Sequence, residues 1–181
     1  MRSVLLGCCL GLTAGSGFAE GYWAFRDWSV QVEAPRGVED TYVTCRAWTG
    51  GDGDPILTLE VYAGDAGPPY HYPMATLREI APRHYPTQMQ DGQTVDFLFD
   101  FDREFYIAAL VAGWINDEGL AEAQSRLQQG DTLPMLRAMK KGSYVESWIG
   151  NDMIYEASLS GFTAAYGKMM DECGFSLHLP S

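Results

Sequence analysis

The residues Trp28-Ser29-Val30-Gln31-Val32-Glu33 alternate apolar and polar side chains without a break. A two-residue period belongs to a strand with one face buried and one face wet, and it recurs along the first two thirds of the chain. Tyr42 to Trp48 repeats it with Cys45 at a central position, and Ile56 to Tyr62 and Gln93 to Phe101 repeat it again. Glu104 to Val111 is more continuously apolar, with Asp102-Arg103 as the turn before it. Pro35-Arg36-Gly37 and Gly50-Gly51-Asp52-Gly53-Asp54-Pro55 supply dense turn signals between the early strands, so these read as a meander. The segment from Gly64 to Pro86 holds Pro68, Pro69, Pro73, Pro82 and Pro86. Proline cannot donate to a strand ladder, which leaves room there for one short edge strand, Met74 to Ile80.

After Trp114 the pattern changes. Asn116 or Asp117 can cap a helix over Glu118 to Gln129, with Leu120, Ala123 and Leu127 on one face. A second helix follows, with Asp131 or Thr132 as cap, Pro134 early, Lys140 and Lys141 in the last turn and Gly142 at its end. Ser143 to Ile149 and Met153 to Leu159 flank the hairpin signal Gly150-Asn151-Asp152. Beyond Ser160, residues Phe162, Ala165, Tyr166, Met169, Met170 and Cys173 fall on one stripe of a last helix. Strands first and helices late predict a mainly β fold, a β-sandwich or barrel-like antiparallel body with two or three short helices in the C-terminal half.

The amino terminus reads as an export signal, not as part of this body. Arg2 precedes an apolar stretch from Val4 to Leu12, and Gly17-Phe18-Ala19 has the small residues of a cleavage site, giving a signal peptide over 1–19 and one β-rich domain over 20–181. Leu5-Leu6-Gly7-Cys8 is open to a second reading, as a lipoprotein processing box. The apolar stretch is about half the ~20 residues a membrane-spanning helix needs, so no transmembrane segment is expected after cleavage. Cleavage removes Cys8 and Cys9 and leaves Cys45 and Cys173. In the periplasm or outside the cell, an even pair without CxxC spacing reads as a structural disulfide, with two free buried thiols as the alternative. Acidic residues number 24 against 12 basic ones, and such a balance excludes nucleic acid as a partner.

Motifs for catalysis are sparse. His71 and His84 each open a His-Tyr-Pro repeat, and with a carboxylate such as Glu79 they could hold a metal if the chain folded back on itself; His178 lies near the carboxy terminus. Asp52, Asp54, Asp100, Asp102 and Glu104 offer oxygen ligands without the full calcium loop. No serine sits in a Gly-x-Ser-x-Gly elbow, and no cofactor is implied. Aromatic residues carry the other signal. Tyr22, Trp23, Phe25 and Trp28 read as core or sheet-covering residues, while Tyr70, Tyr72 and Tyr85 line the proline-rich segment as a candidate binding surface.

The stretch Ser158-Leu159-Ser160-Gly161-Phe162-Thr163-Ala164-Ala165-Tyr166 resembles the closing motif of the invasion-associated locus B family, in which a strand runs through Ser-Leu-x-Gly-Phe into a helix of small residues. The early tryptophan strand and the export signal are similar too, although further cysteines typical of that family are missing here. The resemblance implies a small exported or envelope-located bacterial β-rich protein without an established enzymatic activity or cofactor. The expected function is that of a non-catalytic, envelope-associated accessory or binding protein, its partner a protein or other envelope component. A periplasmic hydrolase or metal-dependent enzyme using His71 and His84 is the alternative.

Overall fold

The computed structural model describes residues 21–34 and 42–177. The export signal, its cleavage site, the lipoprotein box, the Pro35-Arg36-Gly37 turn and His178 lie outside the described residues. Ten strands form one antiparallel sheet: β1 (Gly21–Phe25), β2 (Trp28–Glu33), β3 (Thr44–Gly50), β4 (Ile56–Tyr62), β5 (Met74–Ile80), β6 (Thr94–Phe99), β7 (Asp102–Ile115), β8 (Ala121–Arg126), β9 (Tyr144–Ile149) and β10 (Asp152–Ser158). Two helices complete the body, α1 (Gln129–Lys141) between β8 and β9, and α2 (Phe162–Glu172) after β10. The spatial order is β1-β2-β3-β4-β5-β8-β7-β6-β9-β10. The expected meander is β2, β3 and β4, and β1 and β5 extend it on either side.

The sheet turns on β7. Its residues as far as Leu110 pair with β6, and Val111 to Ile115 pair with β8, so one long strand belongs to both halves. The sheet then curls until β10 approaches its other end. There the Trp28 indole donates to the Ser158 carbonyl at 2.8 Å, the Asp27 amide donates to the Ser160 carbonyl, and the Tyr155 hydroxyl reaches Thr49. Inward-facing residues such as Val30, Leu59, Leu77 and Phe97 are fully buried and join Met135, Leu136 and Met139 of α1 and Phe162 and Met169 of α2 in one core. The Ser-Leu-x-Gly-Phe stretch ties this closure together. Gly161 sits at φ +94 where a Cβ would lie 1.8 Å from the Phe25 carbonyl oxygen, a site only glycine fits, and Phe162 packs edge-on against Trp28. Cys45 of β3 and Cys173, which caps the end of α2, form the expected disulfide, with Cα atoms 6.1 Å apart.

Some elements differ from expectation. The helix expected over 118–129 does not form: residues 121–126 are β8, and Gln129 is helical only as the first residue of α1. Asn116 Oδ1 accepts the amides of Glu118 and Leu120, and Gly119 at φ +74 completes a turn into β8. Helix preference in Ala-Glu-Ala-Gln-Ser-Arg amounts to tenths of a kcal/mol per residue; pairing on both sides, with β5 and with β7, outweighs it. Strand β5 is central, between β4 and β8, not an edge; every proline of its neighbourhood falls outside Met74–Ile80, so its ladder donors are intact. The aromatic cluster at 22–25 forms a strand, β1, not seen in the alternation. α1 also begins at Gln129, ahead of the expected Asp131 or Thr132 cap.

Candidate functional site

Because side chains alternate across a strand, burial of Cys45, Ala47, Leu57, Leu59, Ala75 and Leu77 sends their neighbours to the opposite, wet face of the sheet. On β3, β4, β5 and β8 that face is hollowed into a groove of about 320 Å³. Three arginines from three strands line it: Arg46, Arg78 and Arg126. The floor between them holds Thr58, Thr76 and Gln124.

Two of the three cations are answered. The Arg46 Nε donates to Glu60 and its Nη1 lies 3.4 Å from Glu33. Burial works to lower the Arg46 pKa, but hydrogen bonding and charge from Glu60 outweigh it, so the guanidinium is held above its ordinary value. The Tyr62 hydroxyl donates to the other Glu60 oxygen at 2.5 Å, and that bond, with burial, raises its pKa. Arg78 Nε donates to Glu122 at 2.7 Å while Asn116 Nδ2 donates to the second oxygen at 3.2 Å. The Arg78 bond lowers the Glu122 pKa against the effect of burial, so this carboxylate stays ionised although only 6% exposed. Arg126 is exposed and has no hydrogen-bond or ion-pair partner among the described residues.

A single row of the sheet organises the groove. The register aligns Ser29, Trp48, Thr58, Thr76 and Arg126 as successive cross-strand partners on β2, β3, β4, β5 and β8. Trp48, half-buried, lies on this row one strand beyond Thr58 and outside the residues that line the groove; its ring is 5.9 Å from that of Tyr22, whose hydroxyl is 2.9 Å from Ser29 Oγ. A second hollow, of about 330 Å³, lies on the other half of the sheet between Tyr106, Trp148, Asp96 and Asn151.

The residues singled out in the sequence are not brought together. His71 and Tyr70 precede β5 and His84 and Tyr85 follow it; a seven-residue strand spans roughly 20 Å, ten times a metal–ligand bond. Glu79 is buried, and its two oxygens accept the amides of Gln88 and Met89. Among the described residues no three His, Cys, Asp or Glu side chains converge as a metal-holding group. Asp100 accepts the Ser143 amide with both oxygens, tying the end of α1 to the β6–β7 hairpin, and Asp102 accepts those of Glu104 and Phe105 within its own turn. The tyrosine surface divides as well. Tyr70 and Tyr85 are exposed at opposite ends of β5, whereas Tyr72 belongs to the core, its backbone held by the Gln129 amide.

The fold and groove together define a curled antiparallel β-body with a polar furrow across its wet face. No protein-family model matches the chain, and no curated protein or solved structure matches it either. Among the described residues no helix is long and apolar enough to cross a membrane.

Proposed function

We propose that this chain is an exported, non-catalytic accessory protein of the bacterial envelope, of the kind its likeness to the invasion-associated locus B family implies, and that it works by binding on the wet face of its sheet. The observation that carries the reading is the furrow across β3, β4, β5 and β8, where ion pairs fix the walls and the Arg126 guanidinium has no ion-pair or hydrogen-bond partner among the described residues. Concave sites with a few converging polar groups are where small ligands and partner side chains are held. The Cys45–Cys173 disulfide supports passage through an oxidising compartment.

The test is complementation of a deletion strain together with fractionation of its cells. The chain is expected in the exported fraction, starting at Glu20 and without free thiols. The H71A/H84A double variant is expected to complement fully, and T58E/T76E, which puts carboxylates on the groove floor, to fail while still folding. A cytosolic chain with free thiols, or loss of complementation by the histidine variant, would refute the proposal.

A further inference from the structure

We infer that the furrow takes a small organic carboxylate, its headgroup on the Arg126 guanidinium and its apolar end on Trp48. The inference rests on the binding reading above and names the ligand class for the same site. Arg46 and Arg78 are engaged by Glu60, Glu33 and Glu122, which leaves Arg126 as the guanidinium of the groove without an ion-pair partner among the described residues. Its free fork is open to one carboxylate. A planar carboxylate can accept two parallel N–H bonds from it, which gives direction as well as attraction.

The surroundings select against more highly charged anions. Glu60 and Glu122 stand in the walls, and the whole chain carries a net charge of -12. A phosphate dianion would meet that field twice over. The hydroxyls of Thr58 and Thr76, partners on one row, stand between the two ends of the site as hydrogen-bonding groups.

The row also sets the ligand's length and second recognition element. Trp48 and Arg126 are separated by three strand spacings, about 14 Å between their Cα atoms, less the reach of the two side chains toward each other. Trp48 presents a ring braced by Tyr22, which is itself tied to Ser29. An aromatic platform on the same row, one strand beyond the lining residue Thr58, and the Arg126 guanidinium at the other end of that row fit a short amphipathic acid, a ring or hydrocarbon joined by a few atoms to a carboxylate.

The experiment is calorimetric titration of the oxidised chain with 3-phenylpropionate, beside 3-phenylpropanamide, inorganic phosphate and a blocked tetrapeptide ending in a free phenylalanine carboxylate. Phenylpropionate is expected to bind about tenfold or more tighter than the amide or phosphate, and R126Q to lose about tenfold or more. R126K keeps the charge but not the fork and falls between them. W48L and T76V are expected to weaken phenylpropionate, T76V serving where W48L unfolds. Equal binding by R126Q, phosphate binding as tightly as phenylpropionate, or binding of the tetrapeptide alone would overturn the inference. If T58E/T76E still abolishes complementation while no carboxylate binds, the binding reading stands and the carboxylate assignment falls.

Discussion

Breaking the Cys45–Cys173 bond is expected to cost this protein a large part of its stability. The bond closes a loop of 128 residues, and on the chain-entropy model that closure removes about 5 kcal/mol of unfolded-state freedom at 25 °C. A domain holds a net stability of only about 5–15 kcal/mol, so the cross-link is comparable with the whole margin. The bond also joins β3 to the end of α2, and both cysteines are buried, with 0% and 4% exposure. Comparing the oxidised chain with the same chain reduced and held in a thiol reagent leaves the sulfur atoms in place and isolates the cross-link from packing. Urea unfolding followed by tryptophan fluorescence should show the reduced form less stable by about 4–5 kcal/mol, and its Tm lower by roughly 10–20 °C. The C45A/C173A variant should lose at least as much, because two buried side chains are also trimmed. A reduced form within about 1 kcal/mol of the oxidised one would refute the loop argument.

Two further perturbations probe the fold and the groove. Replacing Gly161 by Ala puts a methyl on the Phe25 carbonyl at φ +94 and should destabilise by about 2 kcal/mol or more, whereas Gly53→Ala, at φ +107 with open space around it, carries the backbone penalty alone; equal thermal shifts would remove the close contact from the explanation. Glu122 has a folded pKa below its unfolded one, so its contribution is full above the ordinary glutamate range and is lost as pH falls through the depressed folded value. Urea midpoints measured against pH should therefore fall less steeply on the acid side for E122Q than for the native chain, and parallel curves would dissociate Glu122 from acid stability.

Most of the fold can be read from local pattern because the pattern and the burial have the same cause. Trp28-Ser29-Val30 alternates since β2 has one wet face, and the α2 stripe from Phe162 to Cys173 is apolar since it packs on the sheet. The misreadings occur where local preference and long-range pairing disagree. Ala121 to Arg126 contains good helix formers, yet both its edges are needed by β5 and β7, which lie far off in sequence. The prolines around β5 point to an edge strand, yet they stop short of Met74–Ile80 on both sides, so both of its ladders are free to pair, with β4 and with β8.

The site was hidden for the same reason. Arg46, Arg78 and Arg126 each occupy the polar phase of a strand, so each looks in isolation like an ordinary solvated charge. What separates Arg126 from the other two is the pairing of its neighbours with Glu60 and Glu122, a fact of cross-strand register that no window of one segment contains. Arg126 also lies on the segment read as a helix, where a period of 3.6 residues would have placed it beside different partners. Once residues 121–126 are a strand opposite β5, Thr76 and Arg126 become partners and the row back to Trp48 follows from two further pairings. The specific Ser-Leu-x-Gly-Phe motif behaves oppositely. It is visible in sequence because Ser158, Gly161 and Phe162 are close along the chain, and all three lock β10 and α2 against β1 and β2, whereas the groove lies on the wet face of β3, β4, β5 and β8. The stretch that carries the resemblance therefore builds the closure of the sheet, while the groove is made by residues of other strands that only register brings together.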